Sequence, residues 1–361
     1  MSRREARRLG LLAQAQGGEQ GAVLATARSS VRYLSGFTGS AGALWIPAEG
    51  PATLVTDGRY EEQAGVEVEP PALIHIGRDG WIRGVADVAA DASGPTLFEA
   101  ESLTVADYES LREALPGMAF VPRRNLVREL RQVKDDEELR AIERAVAVAE
   151  SAFDRLLAAV DWSSSPTERD VATALEAELR RGGSDPLPFD PIVAAGERSA
   201  LPHATPTTRP IEAGDLVLLD FGASVDGYCS DITRTCVRGA AEPWQIDIHA
   251  CVLEAQTRAR EAIRAGAPGR VVDGAARGAL ARHGLDGSFG HGTGHGIGLD
   301  VHEGPSLSAR SEDTLRAGNV VTVEPGVYLP GRGGVRIEDD VLVEEAGSRT
   351  LTRLPRALIG L

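Results

Sequence analysis

The chain has 361 residues, of which 42% are hydrophobic, and it carries a formal net charge of −15. This length is sufficient for two domains with a sizeable core. The acidic balance argues against nucleic acid or an anionic membrane surface as a partner. No apolar run reaches the roughly 18 to 20 residues of a membrane span, and the basic N-terminus lacks the apolar stretch of a secretory signal. The three cysteines lack the spacing of a zinc motif, which favours free thiols and a cytoplasmic location.

Residues 1–122 are predicted to form an α/β domain, because short apolar runs alternate with helical patterns. Four runs are predicted as strands: Ala22–Ala25, Ala43–Ile46, Ala52–Thr56 and Thr96–Phe98. Two segments are predicted as helices: Trp81–Ala90 and Val105–Leu115. This order of elements predicts a separate domain ahead of the remaining chain.

Residues 123–361 are predicted to form the second domain. Its first helix extends over Asp135–Val160, where apolar residues recur at 3.6-residue spacing. The next helix is predicted to begin with a capping box, in which Ser165 is the N-cap and Glu168 the third helical residue. The glycine pair at 182–183 is predicted to end this helix.

Two acids then occur in apolar, strand-like surroundings. Asp220 lies in one apolar run and Asp231 in the next, and the turn signal Asp226-Gly227 lies between them. Folding the hairpin about Val225–Asp226 places the two acids opposite each other, although Asp226-Gly227 also fits the centre of the turn. Like charges opposite one another destabilise paired strands, and no Lys or Arg lies beside Asp220. The pattern therefore favours a bound cation.

The same pattern returns near the C-terminus. Helices are predicted over Glu242–Ala265 and Val271–His283, and a second hairpin follows in which Glu324 and Glu338 face each other. The order of a long helix, a shorter helix and an acidic hairpin therefore occurs twice. This order predicts a pseudo-two-fold domain whose halves each contribute two carboxylates to one centre.

A histidine-rich segment separates the two hairpins. Three of the seven histidines, His291, His295 and His302, fall within twelve residues and are separated mostly by glycine. Neutral imidazole is a common metal ligand, and glycine lets the backbone and a ligand approach one centre closely. A structural hydrogen-bond network among the histidines is the alternative interpretation, and for each acid taken alone the alternative is a surface charge.

The combination of these acids with an imidazole favours a pair of metal ions. Four carboxylates and one neutral imidazole carry four negative charges, which two divalent cations would balance. Oxygen-rich ligation without a thiolate suits Mn²⁺ as the first choice, with Co²⁺, Fe²⁺ and Zn²⁺ as further candidates. Two such ions can activate water for hydrolysis of a carbonyl or phosphoryl bond. The residues therefore predict a dinuclear metal hydrolase.

These motifs resemble those of the metallopeptidases that include methionine aminopeptidases, prolidases and Xaa-Pro aminopeptidases. The five metal ligands of that family match, in chain order, Asp220, Asp231, His295, Glu324 and Glu338. The resemblance implies that Asp231 and Glu338 bridge both ions. It also implies a fold of mixed α/β class, with a creatinase-like N-terminal α/β domain ahead of a pseudo-two-fold "pita-bread" catalytic domain.

The resemblance also implies roles for residues around the metal ions. His203 and His302 match histidines that orient the substrate and stabilise the developing oxyanion, and Glu324 would take and return a proton during hydrolysis. The positions that match substrate-binding residues are His291, Tyr328 and Arg336. For His291 the alternative is structural support, and for Arg336 it is a salt bridge to one of the acids that follow it.

The N-terminal domain and the segment Gly298–Pro305 resemble those of Xaa-Pro aminopeptidases and bacterial prolidases. That branch implies peptide substrates with proline at the second position, and a homodimer in which the N-terminal domain caps the neighbouring active site. An Xaa-Pro aminopeptidase is favoured over a prolidase, because some prolidases carry an arginine where this chain has Ser306. Arg310 is a candidate substitute for that arginine. A non-enzymatic scaffold is the remote alternative, and the five retained ligands argue against it and against the metal-free creatinases.

Overall fold

The computed structural model describes residues 1–15, 21–92 and 94–361. The chain divides into two compact units, Met1–Arg131 and Gln132–Leu361. The sequence predicts a boundary after residue 122, whereas the first unit extends to residue 131. The additional stretch contains the end of a strand at Arg123, and its Arg131 guanidinium donates a hydrogen bond to the Ser29 hydroxyl at 2.8 Å. These contacts attach residues 123–131 to the first unit.

The first unit is an α/β domain with one six-stranded sheet. Its strands are β1 Ala22–Ala25, β2 Ala43–Ile46, β3 Thr53–Thr56, β4 Leu73–Ile76, β5 Pro95–Glu99 and β6 Ala119–Arg123. Its helices are α1 Arg3–Ala15, α2 Arg28–Ser35, α3 Glu61–Glu67, α4 Trp81–Val88, α5 Val105–Ala114 and α6 Arg128–Arg131. The strand order is β4-β3-β2-β1-β5-β6, in which β2 is antiparallel to both of its neighbours and the other neighbours are parallel.

Apolar side chains of the sheet and of helices α4 and α5 form a core in this unit, where Leu24, Val55, Val85 and Leu111 are fully buried. The four strands and two helices predicted for the first domain are present. The sequence does not predict β6, because it contains Pro122, which lacks a backbone N–H. Strand β6 lies at the edge of the sheet, where the outer side needs no donor and proline is tolerated.

The second unit contains two helix pairs and two larger sheets. Its helices are α7 Asp136–Ala159, α8 Glu168–Arg181, α9 Pro243–Ala262 and α10 Gly269–Ala281. Its strands are β7 Ile192–Ala195, β8 Leu216–Phe221, β9 Ser224–Val225, β10 Tyr228–Cys229, β11 Ile232–Val237, β12 Gly294–Gly296, β13 Glu303–Leu307, β14 Val320–Val323, β15 Gly326–Leu329, β16 Gly333–Arg336, β17 Asp339–Glu344, β18 Gly347–Thr350 and β19 Ile359–Gly360. The sheets have the orders β19-β11-β8-β7 and β13-β12-β14-β17-β18, and β9–β10 and β15–β16 form separate two-stranded ribbons. The predicted repeat of long helix, shorter helix and acidic hairpin is confirmed.

Helix α7 begins where the sequence predicts it. The Asp135 side chain accepts hydrogen bonds from the backbone N–H groups of Glu137 and Glu138, and the Glu138 side chain accepts one from the N–H of Asp135. This capping box satisfies donors that the first helical turn leaves unpaired. None of the helices in the described residues is long and apolar enough to cross a membrane.

Helix α8 begins two residues later than the predicted capping box requires. Ser165 adopts a left-handed conformation with φ of 54°, which does not fit an N-cap residue. Thr167 is the N-cap instead, and it exchanges hydrogen bonds with Asp170 (3.0 and 3.1 Å). The prediction of Ser165 and Glu168 as the capping pair is therefore wrong. The Glu168 carboxylate is fully buried and has other partners.

Strand β8 directs Asp220 away from a helix-facing core. The strand is buried along its whole length, and alternate side chains point to opposite faces. Leu219 and Phe221 pack against α7 and α8, where the Phe221 ring stacks on the Phe153 ring with centroids 5.4 Å apart. Asp220 therefore points to the opposite face, where a buried carboxylate requires a hydrogen-bonding or charged partner.

A buried ion pair fixes the beginning of the second unit. Val133 forms an isolated bridge with Asn319, and the Lys134 ammonium donates to Glu303 Oε1 at 2.6 Å. The side chains of Lys134 and Glu303 are only 1% and 2% exposed. The chain contains no other lysine. This pair connects the segment ahead of α7 with strand β13.

Candidate active site

The first hairpin brings Asp220 and Asp231 to one face with a register that differs from the predicted one. Strand β8 is antiparallel to β11, and Asp220 is paired with Thr233. The turn is centred on Asp226 and Gly227, whose φ values of 50° and 78° fit a tight hairpin turn. The prediction that Asp220 lies directly opposite Asp231 is therefore wrong. Because the shift is two residues and side chains alternate with period two, both acids still lie on one face.

The second hairpin places Glu324 across from Glu338. Strand β14 is antiparallel to β17, and their last pair joins Val323 with Asp339. The β15–β16 ribbon continues the same register. The two glutamates lie between these ladders, one on each side of the hairpin, in the arrangement that the sequence predicts.

Strand β12 positions His295 through two close backbone contacts. A Cβ atom at Gly294 would lie 2.0 Å from the carbonyl oxygen of Thr322, and one at Gly296 would lie 1.9 Å from that of Gly304. Only glycine permits such approaches. The backbone N–H of His295 also donates to Thr322 Oγ1 at 3.1 Å. The glycines next to His295 thus allow its strand to pack tightly between β13 and β14.

The five predicted metal ligands line a single cavity of about 450 Å³. One ligand atom each of Asp231, His295 and Glu338 lie within 4.8 Å of one another. His295 Nε2 lies 3.4 Å from Glu324 Oε1 and 3.8 Å from Asp231 Oδ2. Asp220 Oδ1 is buried and has no hydrogen-bond partner among the residues that the structure describes. Clustered carboxylates, an imidazole and an unpaired buried oxygen form a donor set that fits divalent cations.

The electrostatics of these groups also fit bound cations. Burial, followed by repulsion among the acids, raises the pKa values of Asp231 and Glu338 well above their usual range. Burial raises the pKa of Glu324 to about 7, and the nearby Asp220 charge adds to this shift. Burial and the adjacent His302 lower the pKa of His295 to about 4, which leaves a neutral imidazole at neutral pH. Divalent cations would remove the repulsion that favours protonation of the acids.

Arg336 supplies positive charge beside the acids. Its guanidinium donates to Asp220 Oδ2 at 2.5 Å, to the Tyr328 hydroxyl at 2.9 Å and to Thr233 Oγ1 at 3.0 Å. The salt bridge is therefore made to Asp220, and not to the acids that follow Arg336 in the sequence. The Tyr328 hydroxyl lies 2.8 Å from His291 Nε2, and burial raises the Tyr328 pKa to about 12.

Two further histidines lie on the cavity walls. His203 follows the 3₁₀ turn Gly196–Ala200. The centroid of the His302 ring lies 4.3 Å from the centroid of the His295 ring. His291 and Arg336 also line the cavity. Tyr328 does not line it, and lies behind these two residues.

The cavity walls also test whether Arg310 can replace the arginine of some prolidases and act as a clamp for the substrate carboxylate. Ser306 lines the cavity, whereas Arg310 is exposed and does not line it. Among the lining residues the single arginine is Arg336, whose guanidinium is already bound to Asp220, and none is a lysine. The suggestion that Arg310 acts as a clamp therefore finds no support within this unit.

Two threonines that were not predicted from the sequence form hydrogen bonds with the candidate ligands. Thr233 Oγ1 donates to Glu338 Oε2 at 2.6 Å, and Thr322 contacts the backbone N–H of His295. Each threonine lies two positions from a predicted ligand, Asp231 or Glu324, and so shares its strand face. This i±2 spacing is the signal by which they could have been found.

Comparisons with known proteins agree with this arrangement. Residues 140–345 match metallopeptidase family M24, and residues 7–133 match the creatinase/prolidase N-terminal domain. The chain belongs to metallopeptidase family M24. It is a metal-dependent peptidase, and the predicted resemblance and fold class are confirmed.

Several proteins that resemble the chain over most of its length have names that refer to proline. The Xaa-Pro dipeptidase of Pyrococcus horikoshii is 36% identical over 94% of both chains. The solved structure of an Xaa-Pro dipeptidase from Bacillus anthracis is 40% identical, covers 99% of each chain and has a TM-score of 0.90. The structure of an X-Pro aminopeptidase from Thermotoga maritima is 36% identical, covers 98% of this chain and 100% of its own, and has a TM-score of 0.89.

Proposed function

We propose that this M24 peptidase hydrolyses the bond between an N-terminal residue and a following proline. The observation that carries the proposal is the convergence of five metal-ligand side chains and three further histidines in one cavity. The names of the similar dipeptidases and aminopeptidase support proline as the residue after the scissile bond. A site shaped for an imide bond, which lacks an N–H, would reject most ordinary peptides.

Two divalent cations are proposed as cofactors, with Mn²⁺ as the first candidate and Co²⁺, Fe²⁺ and Zn²⁺ as alternatives. The residues that would hold these ions are Asp220, Asp231, His295, Glu324 and Glu338. When bound, such cations polarise the scissile carbonyl and lower the pKa of water. The four carboxylates of the set balance the charge of two divalent ions.

The remaining roles belong to side chains on the cavity wall. The Glu324 carboxylate is proposed to accept a proton from water and to return it to the leaving proline nitrogen. His203 and His302 are proposed to donate hydrogen bonds to the developing oxyanion. His291, Tyr328 and Arg336 are proposed to support the substrate side, where they form one hydrogen-bonded chain.

Dipeptides and longer peptides are separate candidates as substrates. The names of two relatives favour Xaa-Pro dipeptides. The absence of a free arginine or lysine among the cavity-lining residues favours longer peptides, because a dipeptide presents a proline carboxylate that requires a cation. On the names of these relatives we propose prolidase activity, and the lining of the cavity makes Xaa-Pro aminopeptidase activity on longer peptides the second candidate.

The test compares Ala-Pro with Ala-Pro-Gly-Gly, with and without Mn²⁺, and measures release of free alanine. Metal-dependent cleavage of either peptide supports the proposed function. Cleavage of the dipeptide alone identifies a prolidase, whereas cleavage of the longer peptide at least as fast identifies an aminopeptidase. Ser306→Arg should shift the preference toward Ala-Pro, because it adds a cation to the cavity wall. No metal-dependent cleavage of either peptide would contradict the proposal.

The N-terminal unit is proposed to have a role in assembly, and a cellular location is proposed from the cysteines. We propose that residues 1–122 contribute to a homodimer and cap the active site of the neighbouring subunit, as the resemblance implies. A cytoplasmic location is consistent with three free cysteines, of which Cys229 and Cys236 are buried. Sedimentation of the purified protein will test the dimer.

Metal affinity should rise with pH between 6 and 8. Glu324, with a pKa of about 7 in the folded metal-free protein, must lose its proton before it binds a cation. This group alone should make the apparent affinity at pH 6 about tenfold weaker than at pH 8. His295 does not contribute, because its pKa of about 4 leaves it neutral throughout this range. Titration calorimetry with Mn²⁺ in buffers of different ionisation enthalpy measures both affinity and proton release.

The raised pKa of Glu324 also predicts how the stability of the metal-free protein changes with pH. Because the pKa of Glu324 is higher in the folded metal-free protein than its usual 4.5, its contribution to stability is present below pH 4.5 and is lost as pH rises through 7. The Tm of the metal-free protein should therefore fall over this range, and Mn²⁺ should restore it. An affinity for Mn²⁺ that is the same at pH 6 and pH 8 would contradict the prediction.

A further inference from the structure

Glu168 is a fully buried acid outside the cavity, with four hydrogen-bond donors around its carboxylate. Oε1 accepts from the backbone N–H of Ala195 at 2.9 Å, and Arg198 Nε lies 3.1 Å from both oxygens. Oε2 accepts from the backbone N–H of Thr207 at 2.9 Å and from its hydroxyl at 2.7 Å. A buried carboxylate with this many donors is held in one position, and it holds its partners in turn.

Two partners of Glu168, Ala195 and Thr207, flank one loop, and the third, Arg198, lies within it. Ala195 ends strand β7, Thr207 lies after the loop, and residues 196–206 between them include His203. Within the loop, Arg198 Nη2 donates to the carbonyl oxygen of Thr205 at 2.7 Å. Apart from one 3₁₀ turn, this loop has no regular secondary structure to order it. Its two ends are joined through a single carboxylate.

The capping of helix α8 does not require this carboxylate. Thr167 and Asp170 already form the capping box, although Glu168 lies in the same first turn. The positive end of the helix dipole does favour a negative charge at this position. The side chain, however, directs both oxygens to the loop and not to the unpaired N–H groups of its own helix.

We infer that Glu168 is a positioning residue that holds His203 at the wall of the cavity. The inference rests on the proposed function, in which His203 donates a hydrogen bond to the reacting carbonyl. A displacement of about 1 Å in such a group costs up to about a hundredfold in rate. Glu168 thus acts on the reaction through the loop, without contacting the substrate.

The test is a double-mutant cycle of Glu168→Gln and His203→Ala, measured as kcat and KM on Ala-Pro or Ala-Pro-Gly-Gly with Mn²⁺. Every partner of Glu168 is a donor, so the amide group of glutamine must face at least one donor with its own N–H₂. Glu168→Gln should lower kcat by about tenfold to a hundredfold and change KM by less than about twofold. In the His203→Ala background the same substitution should change kcat by less than about twofold.

Asp170→Asn is the matched control, because it weakens the capping box of the same helix turn and leaves the loop contacts intact. It should change kcat by less than about twofold. An equal loss from Glu168→Gln in both backgrounds would overturn the inference, since Glu168 would then act elsewhere. If Glu168→Gln fails to fold, Thr207→Val provides a milder variant that removes one donor, and the same cycle applies.

Hydrogen exchange separates this inference from the proposed function. In Glu168→Gln, amides of residues 196–207 should exchange at least about tenfold faster, while those of α8 should match Asp170→Asn. Unchanged exchange in the loop would overturn the inference even if the peptidase is active. If wild type cleaves neither peptide, the proposed function fails, whereas the exchange measurement still decides whether Glu168 orders the loop. If His203→Ala has full activity, the role of His203 is wrong, and positioning by Glu168 has no effect on the reaction.

Discussion

Replacing Glu324 by glutamine is expected to lower kcat/KM on an Xaa-Pro substrate by at least about a thousandfold. The amide retains the shape of the side chain, but it cannot accept a proton as a carboxylate does, and it offers a cation only a neutral oxygen. Glu324 Oε1 lies 3.4 Å from His295 Nε2, so the substitution changes a group beside a predicted metal ligand. Kinetics at saturating Mn²⁺, together with the metal content of each protein, will separate the loss of proton transfer from the loss of metal.

Glu312 provides the matched control for this experiment. It is exposed and does not line the cavity, and Glu312→Gln makes the same chemical change. Its kcat/KM should lie within about twofold of wild type, as for most surface substitutions. If a folded Glu324→Gln variant retains more than about a tenth of the wild-type kcat/KM, the proton-transfer role assigned to Glu324 is wrong.

The acids of the site could be predicted from the sequence because they interrupt apolar strands. An ionised side chain is costly in such surroundings unless it has a partner. Asp220 within Leu216–Phe221 and Glu324 directly after Val320–Val323 therefore indicate a shared cation before any contact is known. The glycines beside His295 indicate close backbone packing in the same way. These signals are local, and the structure brings the residues that carry them to one cavity.

The register of the first hairpin could not be predicted from the same signals. Both candidate turn centres contain Asp226, and the choice between them depends on whether Asp226 and Gly227 both adopt positive φ. They do, with φ of 50° and 78°. The cavity was nevertheless predictable, because a two-residue shift leaves Asp220 and Asp231 on one strand face. Composition and alternation thus define which residues share a face, whereas backbone conformation at the turn defines which are paired.

Contacts between residues far apart in sequence also could not be predicted. Three buried acids outside the cavity lie close to histidines that line it. Glu168 contacts one end of the loop that carries His203, Asp273 contacts the segment that carries His291, and Glu303 directly follows His302. Each acid taken alone resembles a surface charge, and its partner lies 20 to 169 positions away. Since a single sequence contains no record of these pairings, the candidate ligands could be proposed from the sequence, whereas the acids beside the histidine segments could not.

Lys134→Met is expected to lower the free energy of unfolding by about 3 to 5 kcal/mol. It leaves the Glu303 carboxylate, which is 2% exposed, without the ammonium group that lies 2.6 Å from Oε1. Removal of one member of a buried ion pair is strongly destabilising, whereas an apolar pair of similar volume is often tolerated. The double variant Lys134→Met/Glu303→Leu should therefore lose less stability than Lys134→Met alone. Urea denaturation of metal-loaded wild type and both variants measures the difference.

Chemical modification of lysine gives an independent measurement of the burial of Lys134, because it is the single lysine of the chain. Its side chain is 1% exposed, so an amine-specific acylating reagent should leave it unmodified in the folded protein and modify it in urea. Mass spectrometry of the peptide that contains residue 134 reads this directly. Rapid acylation under native conditions would contradict the burial of Lys134. A Lys134→Met variant as stable as wild type would contradict a stabilising ion pair with Glu303. Because Glu303 directly follows His302, the kcat of the double variant also measures how far this ion pair influences the reaction. If kcat falls while stability is retained, Lys134 has a positioning role like that of Glu168.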